Sequence, residues 1–148
     1  MRILLFKGRG LISFLIRLQS RGVYSHAAVE LDTGEIVEAW QGSGVRLLKR
    51  LKHGRSDVDT FTVRNLTTEH AMGVTSFLTS QIGKPYDYIG VLRFVTRRRK
   101  GGPRKWFCSE LVFAAFKAVG ISLLERTEAW EVSPQLLSRS TLLVQDTT

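Results

Sequence analysis

The chain has 148 residues, with 22 Lys and Arg against 13 Asp and Glu, a formal net charge of +9. Its hydrophobic content of 43% is enough for a packed core and excludes wholesale disorder. Three prolines exclude a Pro-rich or collagen-like chain, and a single cysteine excludes both an intrachain disulfide and a thiolate zinc cluster. The length fits one domain over residues 1–148.

Arg2–Phe6 is a short strand, Gly8–Gly10 a turn, and Leu11–Leu18 a helix with an apolar face at Leu11, Phe14, Leu15 and Leu18. Val23–Leu31 (VYSHAAVEL) is a strand that Asp32-Thr33-Gly34 turns into a second, Glu35–Trp40, making a hairpin. Gln41–Gly44 is a loop and Val45–Leu51 a further strand. Val58–Val63 alternates and is rich in β-branched residues, as strands are. Thr67 or Thr68 caps a helix with Glu69 in its first turn, which runs to Ile82 and is stopped by Gly83. Lys84–Tyr88 is a turn leading into a helix over Ile89–Thr96, followed by a basic Gly/Pro loop, Arg97–Lys105. Cys108–Val119 is an apolar helix closed by Gly120, and a short turn lies around Ser133–Leu137. Hairpins without alternating crossovers predict an α+β fold.

The N-terminal stretch has the apolar and basic character of a signal peptide. Lys7, Arg9 and Arg17 interrupt its apolar run, however, and no small-residue cleavage site follows. No stretch approaches the roughly 18 apolar residues of a membrane span. The N-terminus is therefore expected to be folded structure and the protein cytoplasmic, or a phage-encoded protein released to the envelope. A helix lying on a membrane surface is the other reading of Leu11–Leu18.

Cys108 stands where a helix begins. Free N–H groups and partial positive charge at a helix N-terminus favour a thiolate and can hold an oxyanion when sulfur attacks a carbonyl. A buried structural cysteine is the ordinary alternative beside Trp106 and Phe107. A nucleophilic cysteine needs a base. His53 lies in a basic loop, and His70 in a first helical turn whose dipole disfavours an imidazolium. His26 lies in a strand ahead of Ala27 and Ala28, small residues that let a second element approach.

The turn decides which group orients the imidazole. With a three-residue loop at Asp32-Thr33-Gly34, Ala28 opposes Glu38, His26 opposes Trp40, and Glu38 is one diagonal step from His26 on the same face. With a two-residue loop, Gln41 opposes His26 and Glu38 faces away. Glu30 is on the His26 face but roughly 13 Å along the strand, too far to orient the ring. Tyr24 shares that face, and its hydroxyl can assist at an oxyanion or substrate.

Three stretches together resemble the circularly permuted branch of the NlpC-type papain-like cysteine hydrolases (YiiX/YaeF-like), related to the lecithin:retinol acyltransferase-like enzymes. They are Tyr24-Ser25-His26-Ala27-Ala28-Val29, Gly83-Lys84-Pro85-Tyr86-Asp87-Tyr88 and Phe107-Cys108-Ser109-Glu110-Leu111-Val112. In the ordinary papain-like order the cysteine precedes the histidine; here His26 precedes Cys108, as in the permuted branch. The resemblance covers residues 1–140, roughly. It implies an antiparallel sheet or small barrel packed against helices, including the Cys108 helix. It implies Glu38 as the third residue, with Tyr24 and Ser109 binding substrate or oxyanion. It also implies attack of Cys108 on an amide or ester carbonyl, with His26 as base and then acid. No metal or other cofactor is expected, and the chain is expected to be a monomer.

The basic residues gather in two runs, Arg46–Arg55 and Arg93–Lys105. They suit an anionic surface: peptidoglycan or another anionic cell-envelope substrate, or anionic lipid in peripheral membrane contact. Nucleic acid is disfavoured, with neither a zinc-finger pattern nor an aromatic RNP motif present. The leading expectation is a cysteine amidase or endopeptidase acting on peptidoglycan peptides. A thiol acyltransferase or lipase using the same residues is the second, with Leu11–Leu18 as lipid contact. A non-catalytic anion-binding module with Cys108 in its core is the third.

Overall fold

The computed structural model describes residues 1–8, 10–49, 57–88 and 104–146. Six strands lie in it: β1 (Arg2–Phe6), β2 (His26–Glu30), β3 (Ile36–Trp40), β4 (Gly44–Leu48), β5 (Val58–Val63) and β6 (Leu143–Gln145). They form one open antiparallel sheet in the order β4-β3-β2-β1-β5-β6. The helices are α1 (Leu11–Ser20), α2 (Thr68–Ser80), α3 (Cys108–Lys117) and the single-turn α4 (Pro134–Leu137). The expected α+β class and antiparallel sheet are both found, as an open sheet with β4 and β6 at its edges.

β1 is apolar without alternation because both of its faces are covered. Ile3 and Leu5 point to one side with Ala27, Val29, Val37 and Ala39, and all are fully buried there with the apolar side chains of α3. Leu4 and Phe6 point to the other side and cluster with Ala28 and Ile36. Phe113 and Phe116 of α3 are completely buried, each worth about 1.5–3 kcal/mol relative to an exposed ring. The alanines matter by being small: Ala27 lets α3 close on the sheet beside His26.

The hairpin turn is the three-residue one. Leu31 N–H donates to the Glu35 carbonyl (2.8 Å), Gly34 N–H donates to the Leu31 carbonyl (2.9 Å), and Gly34 has φ +82°. That left-handed position is one glycine occupies without strain. The ladder then pairs Val29 with Val37 and Glu30 with Ile36, a register that carries Ala28 to Glu38.

Several boundaries differ from expectation. β2 begins at His26 rather than Val23, since the chain before it is bonded out of line. Val23 N–H goes to the Gln135 side chain (2.8 Å), and Ser25 Oγ reaches the Phe6 carbonyl (3.2 Å) and accepts from Gly8 N–H (3.0 Å). Ser133–Leu137 is a helical turn, capped by Ser133 Oγ accepting from Leu136 N–H (3.0 Å), with Pro134 in its first turn. β6 was not anticipated: three residues on the sheet edge, opposite Phe61–Val63, are too few to show a period. The helix expected at Ile89–Thr96 lies outside the described residues, as do His53 and most of both basic runs.

Candidate active site

The hairpin register delivers the first pair. His26 Nε2 lies 2.7 Å from Glu38 Oε2, one diagonal step across β2 and β3. Both side chains are largely buried, 12% and 5% exposed. The other carboxylate oxygen, Oε1, accepts from Arg46 Nε at 2.9 Å and Nη2 at 2.6 Å. Arg46 stands directly opposite Glu38 in the β3–β4 ladder. Its guanidinium lies over the Trp40 ring, 4.9 Å from the centroid. Trp40 in turn meets His26 edge-on at 5.1 Å, while Phe6 packs on His26 at 5.2 Å. The imidazole is thus walled by two aromatic rings and tied at Nε2, which leaves Nδ1 for another partner.

Cys108, the first residue of α3 and 1% exposed, is the group whose sulfur acts most strongly in raising the pKa of this imidazole. The first helical bond of this turn runs from Leu111 N–H to the Phe107 carbonyl (3.0 Å), so the amides before it face the helix end, as helix geometry requires. Glu110 reaches back to Phe107 N–H (3.4 Å), the acidic half of a capping box. Phe107 has no side-chain acceptor to supply the other half.

Charge and burial pull His26 in opposite directions. Burial alone would push the imidazole below its ordinary 6.5, but the Cys108 sulfur and then Glu38 outweigh it and raise the value to about 9. Glu38 is pushed up by burial and more than offset by His26 and Arg46, so its carboxyl sits below the usual value. The arrangement favours a protonated imidazole beside an ionised Glu38.

The stretch Gly83–Tyr88 clasps this centre. Val45 N–H donates to the Lys84 carbonyl (2.8 Å) and Gly83 N–H to the Val45 carbonyl (2.9 Å), fixing the clasp to β4. Trp106 N–H donates to the Pro85 carbonyl (3.1 Å), Asp87 N–H to the Trp106 carbonyl (3.0 Å), and Tyr86 bridges Trp106 in parallel. Gly44 has φ +69°, and a Cβ there would overlap the Lys84 carbonyl oxygen. Tyr86 is buried, and burial, then the nearby Cys108, holds its phenol in the neutral form.

A cavity of about 650 Å³ adjoins His26. Phe6, Ile12, Trp40 and Tyr86 supply apolar wall, while Ser13, Ser25, Gln41 and Asp57 supply polar groups. Gln41, the rival of Glu38 in the other hairpin register, is therefore in the wall and not on the imidazole.

The remaining candidates have other partners. The Tyr24 hydroxyl donates to Asp59, which also accepts from Lys7 (2.9 Å), and Tyr24 is not in the cavity wall. Burial and Asp59 raise its phenol further from ionisation. The Ser109 hydroxyl donates to the Val132 carbonyl, leaving its backbone amide as the part near the helix end. Arg46, Trp40 and Tyr86 were not singled out as site residues. The signal for Arg46 was an opposite charge directly across a strand pair, visible once the turn after Trp40 is known.

A sheet whose histidine strand precedes the cysteine helix in the chain defines a permuted papain-like fold. The model for the permuted papain-like amidase enzymes, YaeF/YiiX, C92 family, matches residues 6–135, and the chain belongs to this family. It is 28% identical over 158 residues to the probable lipoprotein peptidase YaeF of Escherichia coli (strain K12), across 84% of this chain and 57% of that protein. The chain therefore spans little more than half the length of that curated relative. The crystal structure of the metalloprotein YiiX from Escherichia coli O157:H7 shares the fold, with a TM-score of 0.77 at 20% identity over 99% of this chain and 94% of that one. Among the described residues, no three His, Cys, Asp or Glu side chains are grouped so as to hold a metal ion.

Proposed function

We propose that the protein is a cysteine amidase or endopeptidase using Cys108, His26 and Glu38. The observation that carries this reading is the hydrogen-bonded chain His26–Glu38–Arg46 beside a cavity, with Cys108 at the start of α3 acting on the same imidazole. Cys108 Sγ attacks the amide carbonyl carbon. The thiol proton, held by His26, passes to the departing amine as the C–N bond breaks, leaving a thioester. Water then adds with His26 as base, and the carboxylic acid and free thiol are released. Glu38 holds the imidazole in position and favours its protonated form. The opening amides of α3, with the nearby Tyr86 phenol, are the donors offered to the oxyanion; the Tyr24 hydroxyl is bonded to Asp59.

For the substrate, the basic charge supports an anionic cell-envelope polymer, and peptidoglycan peptides are the reading put forward. Digestion of purified peptidoglycan tests it. Soluble fragments should appear with the wild-type protein and not with Cys108→Ala; equal release by both, or none from either, rejects it. A second reading, acyl transfer or hydrolysis on a lipid substrate, draws support from the apolar wall of Phe6, Ile12, Trp40 and Tyr86. Release of fatty acid from phospholipid vesicles, dependent on Cys108, distinguishes the two.

A further inference from the structure

α1 has an apolar side that the fold does not use. Ile16 is buried against the core and Ile12 is partly so, as the inward face of a surface helix requires. The outward face is also apolar: Phe14 is 51% exposed, Leu15 46% and Leu18 65%, with Val23 just beyond at 54%. At about 100° per residue, Phe14, Leu18 and Leu15 make one continuous stripe with Arg17 beyond Phe14, and Arg21 caps the end of the helix. Single exposed leucines are ordinary on protein surfaces. A stripe of three, edged by arginine, is not.

Arg17 and Arg21 are the cations beside the stripe, while Arg2 and Lys7 are paired with Glu30 and Asp59. The first 29 residues hold Arg2, Lys7, Arg9, Arg17 and Arg21 and no acidic residue. α1 also supplies Ile12 and Ser13 to the cavity wall beside His26. A surface that accepts apolar side chains and cations together is the boundary between lipid headgroups and acyl chains, and an anionic bilayer complements this stripe in both respects.

We infer that α1 is an interfacial anchor. It lies in the plane of an anionic bilayer with Phe14, Leu15 and Leu18 at the acyl boundary and Arg17 and Arg21 at the headgroups. The anchor holds the cavity against the membrane surface, and it acts independently of the cysteine chemistry proposed above.

Co-sedimentation of the whole chain with vesicles tests this. Binding to phosphatidylcholine vesicles containing phosphatidylglycerol should exceed binding to phosphatidylcholine alone by about tenfold or more, and should weaken as salt is raised. The double variant Leu15→Asp, Leu18→Asp should lose about tenfold or more of that binding with its melting temperature unchanged, since both side chains are exposed. Should that variant fail to fold, Arg17→Gln, Arg21→Gln decides, and it should lose the preference for the anionic vesicles. Cys108→Ala should bind as the wild type does, which separates this result from any failure of the proposed chemistry. No association of the wild type with anionic vesicles overturns the inference. So does undiminished binding by the folded variants. A dimer in solution that the Leu15, Leu18 variant dissociates, without vesicle binding, assigns the stripe to a second copy and equally overturns it.

Discussion

Arg46 holds Glu38 by one oxygen and leaves the other to His26. The Nε and Nη2 groups converge on Oε1, while Oε2 sits 2.7 Å from the imidazole. The carboxylate cannot turn toward the cavity without giving up both arginine bonds. Arg46→Ala should therefore lower kcat/KM by about tenfold or more, in the range seen when an orienting partner is lost. Arg46→Lys should recover only part of it, because an ammonium restores the charge and not the fork. Equal activity of the three proteins on any accepted substrate would show that Arg46 does not position Glu38.

Glu38→Gln keeps the shape and removes the charge beside His26. The imidazole should then titrate lower than in the wild type, since Cys108 is left to oppose burial without Glu38. Activity should fall by about a hundredfold or more. An NMR titration of His26 reads the first effect and steady-state kinetics the second. An unmoved titration rules out Glu38 as the group that sustains the protonated ring.

Cys108 should be alkylated by iodoacetamide at neutral pH faster than a free cysteine, and His26→Ala should abolish the advantage. Mass spectrometry of the labelled chain over time reads both rates. Slow labelling in the wild type, equal to that of His26→Ala, favours a structural cysteine and sinks the proposed nucleophile.

Stability should depend on pH in a defined direction. His26 is raised from 6.5 to about 9 in the folded chain, so its contribution is fully present below about 6.5 and lost as pH rises through about 9. A shift of this size corresponds to about 3 kcal/mol. Glu38 works the other way: its lowered value contributes stability above its ordinary range that disappears as the pH falls through the folded value. Urea denaturation between about pH 6 and pH 10 should show the decline in the wild type and a much weaker one in His26→Ala. A flat profile in the wild type contradicts the assignment.

Gly44→Ala should cost about 2 kcal/mol or more and reduce activity together with stability. The added methyl strains a positive φ and overlaps the Lys84 carbonyl, on the segment that presents Tyr86 to Cys108. Tyr86→Phe separates these effects: it keeps the packing and should lower kcat by about tenfold or more if the phenol serves the oxyanion. Thermal melts and kinetics of both variants distinguish the clasp from the hydroxyl.

What could be read from the residues followed their locality. Counting along two adjacent strands left Glu38 or Gln41 beside His26 according to the length of the turn at Asp32-Thr33-Gly34; the family resemblance pointed to Glu38, and the three-residue turn of the structure puts it there. The strand at Val58–Val63 and the Thr67 cap were legible from their own local residues. The clasp was not. Lys84–Tyr88 reads as a turn, and only the fold shows its carbonyls spent on Val45 and Trp106, far away in sequence. The Tyr24 hydroxyl was likewise unreadable, because its acceptor Asp59 arrives on another strand. β6 escaped because three residues cannot establish a period.

The order of the pieces along the chain has a consequence for assembly. β2, β3 and β4 form a local meander, so His26, Glu38 and Arg46 can come together as soon as that part is synthesised. Cys108 follows 62 residues after Arg46 and reaches them only when α3 docks on the sheet, a slow, long-range closure. His26, Glu38 and Arg46 are laid down first, and Cys108 joins them only with completion of the fold.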